Sequence, residues 1–307
     1  MTHPSASDLL SQYTLTLNGK AAGTAEAYQR ALRKLIDWIS DRPGSGGQFT
    51  PAQFTQTALE TYLAQLQAAG YSASHQTLVK AAASGFARWL IEEQGTLQRN
   101  PARGVQVPSQ PLLAPRVLSE DQRYVLRNLV ERSQDVRGMA LFALGYWAGC
   151  RVSDVSWLRL ENTHVTPRKG WLKVGHKGGK EREIDLARPA RQAMYDYLQS
   201  GGRDPDSPYT FTSQRTDRLT EAGIHHWLRH LKRQAAKEEW ELVHDVTFHD
   251  LRHDFGHRAR EAGWTLEELA YYLGHITRKG TPALQTTIRY TQASREQVKT
   301  KLEALPG

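Results

Sequence analysis

Four prolines, at positions 101, 108, 111 and 115, fall between Asn100 and Pro115, with Arg103 and Gly104 among them. Proline lacks the amide hydrogen, and its ring clashes with the preceding turn, so no helix crosses such a stretch. The segment reads as an extended linker. It divides the 307 residues into a first part, 1–103, a linker, 104–117, and a second part, 118–307. A chain of this length buries more than one core without difficulty.

The first part is patterned for helices. Tyr28, Leu32, Leu35, Ile36 and Ile39 recur at helical spacing over 24–39, with Arg30, Arg33 and Lys34 at other positions. Pro43, Gly44, Gly46 and Gly47 then break the chain. A second helix is expected near Thr57, where Thr57 and Glu60 have capping-box spacing and Leu59, Tyr62, Leu63 and Leu66 form the stripe; Gly70 ends it. A third carries Leu78, Val79, Ala82, Phe86, Trp89 and Leu90, and a shorter segment runs from Asp8 to Leu17.

The second part is mainly α with a small antiparallel β-hairpin. Ser119 and Gln122 form a capping box ahead of Leu126, Leu129 and Val130. Met139 to Ala148 is nearly all apolar, a buried helix closed by Gly149. Arg151 then opens a helix beside this core, where a guanidinium needs an anion: Asp154, or a bound phosphate. Residues 171–186 read as a hairpin: Trp171–Val174 leads in, His176-Lys177-Gly178-Gly179-Lys180 turns, and Arg182–Leu186 returns. Helices follow from Pro189 and from Thr220, with Tyr209–Thr212 extended between them. Arg229, Lys232 and Arg233 make the latter helix basic, as suits a phosphate-facing surface.

The densest chemistry lies between Thr247 and Tyr290. Thr247 caps a helix whose inner side is Phe248, Leu251, Phe255 and Ala259, and which sets His249 and Arg252 together at the edge of that face. Thr265 and Glu268 cap the next helix, Gly274 ends it, and His275 leaves it. Tyr290 follows in a Thr-rich segment, and Ser294 with Gln297 opens a terminal helix to about Leu305. Together Arg, His and Tyr can hold a phosphate, move protons around it and attack it with a phenolate.

Charge agrees. The formal net charge is +8 and the pI about 9.5, which favours a polyanionic partner, nucleic acid first. A single Cys excludes an intrachain disulfide and a Cys-rich zinc site. No apolar run reaches the ~20 residues of a membrane span. Met1-Thr2-His3-Pro4-Ser5 lacks the pattern of a signal peptide, so a cytoplasmic location is expected.

In order, the chain shows Gly149-x-Arg151-x-Ser153-Asp154, the Lys-bearing hairpin, His249-x-x-Arg252-His253, Leu273-Gly274-His275 and Thr287-x-x-Tyr290-Thr291. This series resembles the tyrosine recombinases, or phage integrases, Xer-type recombinases included. The resemblance implies a helical, SAM-like core-DNA-binding domain in the first part. It implies a catalytic domain with a C-terminal helix in the second, the two forming a clamp on double-stranded DNA. It assigns Arg151 and Arg252 as catalytic arginines, Asp154 as their support, and Lys177 as the hairpin lysine, with Lys180 a close competitor. His249 and His275 match the two histidines and Tyr290 the nucleophile. Such enzymes cut one strand at a time through a 3′-phosphotyrosine, a transesterification like that of type IB topoisomerases, and need no cofactor or metal. Four protomers act on two DNA sites, as a homo-tetramer or with a paralogous recombinase. The terminal helix, with Val298 and Leu302, is expected to dock on a neighbouring protomer.

One departure stands out. The link from His275 to Tyr290 is several residues longer than usual in that family, and its Arg278 and Lys279 join Lys180, Arg229, Lys232 and Arg233 as candidate DNA contacts. It is expected to touch DNA or to change how Tyr290 is delivered. Tyr271 and Tyr272 are poorer nucleophiles, lying inside a helix at core-like spacing. Two rival readings remain. One is a metal-dependent hydrolase, suggested by His249, His253 and His257 at i, i+4 spacing and by the adjacent His225 and His226; Arg252 would repel its cation, and the spacing is not that of zinc proteases. The other is a DNA-binding protein of the same fold that does not cut, or only relaxes supercoils.

Overall fold

The computed structural model describes residues 5–19, 22–109, 116–175, 181–277 and 281–288. The chain divides into two compact units, Met1–Pro111 and Leu112–Gly307.

In the first unit, helices α1 (Ala6–Thr16), α2 (Ala22–Ser40), α3 (Gln56–Ala68) and α4 (Ala73–Glu92) bury one shared apolar core. Ser5 and Ser72 cap α1 and α4 by accepting the amides of Asp8 and His75. Helix α3 opens two residues earlier than its Thr57–Glu60 spacing suggests. Its cap is Thr55, which accepts the amide of Ala58, while Glu60 instead accepts from the Gln56 side chain. Buried Phe54 and Leu59 flank that cap at hydrophobic-staple spacing and fix the entry of the chain. The centre of the unit is aromatic: Phe86 contacts Tyr13, Phe49, Phe54 and Trp89. Ala102 and Val105 are buried in the same core and Val107 packs on it. The first residues after the proline at 101 therefore belong to this packing.

The second unit begins with α5 (Glu120–Ser133), opened by the Ser119–Gln122 capping box. The apolar run forms α6 (Val136–Tyr146), buried from Ala140 to Tyr146. After it comes α7 (Val152–Ser156), a single turn. A three-stranded antiparallel sheet follows: β1 (Thr163–Val165), β2 (Gly170–Val174) and β3 (Arg182–Asp185), in that order. The hairpin pairs Leu172 with Ile184, both buried. Strand β1 pairs Thr163 with Leu172; with three residues it is too short for an alternation to register in the sequence. Then come α8 (Arg188–Gln199), α9 (Glu221–Lys232), α10 (Lys237–Val243), α11 (Phe248–Glu261), α12 (Leu266–Leu273) and α13 (Leu284–Thr287). Helices α8 and α11 pack on α6, the centre of this core. Helix α10 is short and charged and has Ala236 at its N-cap, so no polar cap announces it in the sequence. Among the described residues no helix is long and apolar enough to cross a membrane.

Lys232 corrects an expectation. The basic run with Arg229 and Arg233 marks it as a DNA contact, yet it is 5% exposed and its Nζ donates to the carbonyls of His244 and Val246 at 2.6 and 2.7 Å. It sits four residues after Leu228, on the buried stripe of α9, and ties that helix to the end of α10. Desolvation lowers its pKa from the ordinary lysine value. Arg229 and Arg233 are exposed.

A second buried charge joins α5 to α11. The Asp254 carboxylate is 0% exposed and accepts from Arg123 Nε at 2.8 Å and Arg258 Nε at 2.7 Å. The Arg258 guanidinium also lies over the Tyr146 ring, 4.0 Å from its centre, and donates to the Tyr146 carbonyl on α6. Asp254→Ala leaves two largely buried cations without their shared anion. A loss of about 3 kcal/mol in urea-unfolding free energy is expected.

Candidate active site

The site is built where helices of the second unit end. Helix α6 gives way to Gly149, at φ +58°, a conformation glycine adopts without strain. A Cβ at this position would lie 2.6 Å from Phe255 and 3.0 Å from Leu273. The bare backbone lets α11 and α12 approach, and it brings the Gly149 carbonyl to Arg252.

Arg252, on α11, is 1% exposed. Its Nη1 donates to the Gly149 carbonyl at 2.5 Å and its Nη2 to the Leu273 carbonyl at 2.8 Å. The same Nη2 lies 3.1 Å from His275 Nε2. A guanidinium only donates, so Nε2 must be the acceptor and the imidazole proton sits on Nδ1. Nδ1 faces Thr287 Oγ1 at 3.0 Å. Burial, then the charges of Arg252, Arg151 and Arg182, pull the His275 pKa down to about 3. The ring is therefore neutral at physiological pH.

Arg151 caps α7, with its backbone amide donating to Asp154 at 3.1 Å. The same Asp154 oxygen takes the guanidinium of Arg182 at 3.0 Å, an ion pair with 9% and 5% side-chain exposure. Arg182 Nε donates to the Tyr272 carbonyl at 2.8 Å, and its side chain lies over Gly274, where a Cβ would meet Arg182 Cδ at 2.9 Å. Gly274 turns the chain out of α12 at φ +66° and hands it to His275. Arg182 thus ties the root of the hairpin to the segments bearing Arg151 and His275.

His249 is solvent-exposed on the first turn of α11, and its ring meets that of His253 edge-on, 4.1 Å between centres. Partial desolvation, then Arg252 and Arg151, lower the His249 pKa. Desolvation and the neighbouring His249 lower that of His253 to about 4. The charges of Arg151 and Arg252 thus act together on both His249 and His275. The structure brings Arg151, Asp154, His249, Arg252 and His275 into one region. Lys177, Lys180, Arg278, Lys279, Tyr290 and the terminal helix lie outside the described residues.

After His275 the described residues on either side of 278–280 pair with one another. Ile276 bridges Pro282, and the Thr277 amide donates to the Thr281 carbonyl at 2.8 Å. The Ala283 amide then returns to the His275 carbonyl at 2.6 Å. Helix α13 therefore starts beside His275. Tyr271, expected in the core, is 70% exposed; Tyr272 is the inward one, its hydroxyl donating to the Asp185 carbonyl at 3.0 Å. Arg182 is a site residue that no sequence motif marks. It shares the alternation of buried Ile184 and Leu186, which places an arginine on the inward face of β3. Cys150 is fully enclosed, and burial pushes its thiol up to about 12, so it is no nucleophile.

Comparison with known proteins gives the class. The model of the phage integrase family matches residues 116–297, and that of the phage integrase N-terminal SAM-like domain matches 10–96. The chain belongs to the phage integrase family, the tyrosine recombinases. Among its relatives is the tyrosine recombinase XerC of Pelobacter propionicus, 29% identical over 273 residues, covering 88% of this chain and 85% of the relative. The tyrosine recombinase XerA of Pyrococcus furiosus is 28% identical over 97% of this chain and 93% of its own. In fold, the Tn1549 transposon integrase, solved with transposon right-end DNA, superposes with a TM-score of 0.73 at 17% identity, over 97% of this chain and 99% of that one.

The histidine shifts set a pH dependence. His253 and His275 have folded pKa values of about 4 and about 3, below the unfolded value near 6.5. Both states are neutral above pH 6.5, so stability from these groups is complete there. It is lost as pH falls toward 4 and then 3, because the unfolded chain takes up protons first. The melting temperature should fall on acidification below pH 6.5. His253→Asn should flatten that slope by at most about 1.4 kcal/mol per pH unit.

Proposed function

We propose that this protein is a site-specific DNA recombinase that cleaves and rejoins strands through a 3′-phosphotyrosine. The observation that carries the reading is the buried guanidinium of Arg252, held by the Gly149 and Leu273 carbonyls and joined to His275, with Arg151 two residues beyond Gly149 and His249 on the first turn of the same helix as Arg252. Two guanidiniums on one phosphodiester bind its non-bridging oxygens and stabilise the charge of a pentacovalent transition state. Rigid donors lose nothing to reorganisation at that moment.

Tyr290 attacks the phosphorus. Its proton leaves toward His249, whose pKa partial desolvation and then the neighbouring guanidiniums hold below the ordinary histidine value. The bond to the 5′-oxygen breaks, and Lys177, with Lys180 as the competing donor, protonates that leaving group. The phosphotyrosine conserves the bond energy, so a partner strand's 5′-hydroxyl reseals it without ATP. Asp154 supports Arg151 and, through Arg182, the hairpin that carries the lysine. Double-stranded DNA is the partner, as in the Tn1549 integrase complex, and a tetramer on two sites is the working assembly. In the first unit Arg30, Arg33 and Lys34 lie exposed on α2, away from its buried stripe, and suit contacts to the DNA backbone.

A nicked suicide duplex tests this. The wild-type chain should form a covalent protein–DNA band on a denaturing gel, undiminished by EDTA. Tyr290→Phe should abolish the band and leave DNA binding in a mobility-shift assay nearly unchanged. Arg151→Ala should slow cleavage by about a hundredfold while the protein stays folded by circular dichroism. A wild-type chain that binds DNA without ever forming the band is a non-cutting member of the fold.

A further inference from the structure

Hydrogen bonds run in one direction from the buried guanidinium to the short helix ahead of Tyr290. Arg252 Nη2 donates to His275 Nε2, His275 Nδ1–H donates to Thr287 Oγ1, and Thr287 Oγ1 donates to the Ala283 carbonyl at 3.2 Å. Thr287 is 0% exposed, and its hydroxyl has one hydrogen. With that hydrogen directed to Ala283, its oxygen is left to accept from the imidazole. The backbone repeats the connection, since the Ala283 amide returns to the His275 carbonyl.

We propose that Thr287 is a positioning residue: docked on His275, it holds in place the segment that leads to Tyr290 and fixes His275 in the tautomer whose Nε2 supports Arg252. The inference rests on the recombinase reading for its consequence in catalysis, though not for the tautomer. Val at this position has nearly the shape of Thr but cannot accept. The imidazole would then face a bad choice. With its proton kept on Nδ1, a buried donor goes unsatisfied. With the proton moved to Nε2, an N–H points at the N–H of Arg252. Either way the guanidinium loses support and α13 loses its anchor. The low pKa of His275 is consistent, because a protonated ring would also set a donor against Arg252.

The first arm of the test reads the tautomer directly. Ring nitrogen-15 NMR of wild-type protein at pH 7, with His275 assigned by the loss of its signals in His275→Gln, should show a neutral Nδ1–H imidazole. An Nε2–H ring in the wild type overturns the proposal without recourse to any variant. Thr287→Val should move the ring toward a tautomer mixture, and Thr287→Ser should restore the wild-type spectrum. The second arm uses the suicide duplex. Thr287→Val should slow covalent-complex formation about tenfold at unchanged DNA affinity, and Thr287→Ser should recover most of the rate. Cleavage by Thr287→Val at the wild-type rate overturns the positioning role. Absence of cleavage by the wild type itself is a failure of the recombinase reading, and the ring spectrum still judges the docking.

Discussion

A positive charge is taken almost entirely out of water at Arg252, and the second unit is arranged to make that tolerable. Desolvating a guanidinium costs several kcal/mol unless its hydrogens find acceptors. Among the acceptors are the Gly149 carbonyl, the Leu273 carbonyl and a neutral imidazole. The carbonyls at the end of a helix have no amide partner within it, so the close of α12 supplies one such acceptor. Gly149, just past α6, supplies another. Neutral acceptors orient the guanidinium without cancelling its charge, and an anion arriving at the site meets a full cation.

The remaining anions serve as structural ties. Asp154 is shared between the Arg151 amide and the Arg182 guanidinium, and Asp254 between Arg123 and Arg258. Each carboxylate joins segments distant in sequence. Asp154 links the α7 turn to β3 and, through Arg182, to the end of α12. Asp254 clamps α11 to α5 and, through Arg258, to α6. The helix bearing His249 and Arg252 is thus fastened through one carboxylate that water does not reach. Burial, and then the cations around the pocket, lower the pKa of both His249 and His275.

Much of this is legible in the chain itself, and the reasons differ by element. The capping boxes at Ser119, Thr247 and Thr265 mark three helix starts because the relevant hydrogen bonds are local. The order of Arg, His and Gly motifs leads to the family because the series together is far more specific than any one of its elements. Lys232 misleads because a lysine in a basic run looks solvated, whereas its register from Leu228 turns it inward. Tyr271 misleads the other way, as helical spacing in a short segment does not say which of two adjacent tyrosines faces the core. Arg182 is invisible as a site residue, and Thr287, though part of the Thr-x-x-Tyr-Thr motif, gives no sign of its contact with His275, because their partners lie far off in sequence or beyond a turn. No local pattern encodes such contacts.

The closed excursion between Ile276 and Pro282 separates length from geometry. A chain that leaves and re-enters through one bridged pair delivers its downstream residues to the same place however many it spends outside. Each doubling of such a loop adds only about 0.6 kcal/mol of closure entropy. Gain or loss of residues between this pair would leave the start of α13 beside His275, which makes the segment a natural place for related chains to differ and for a new recognition segment to be grafted.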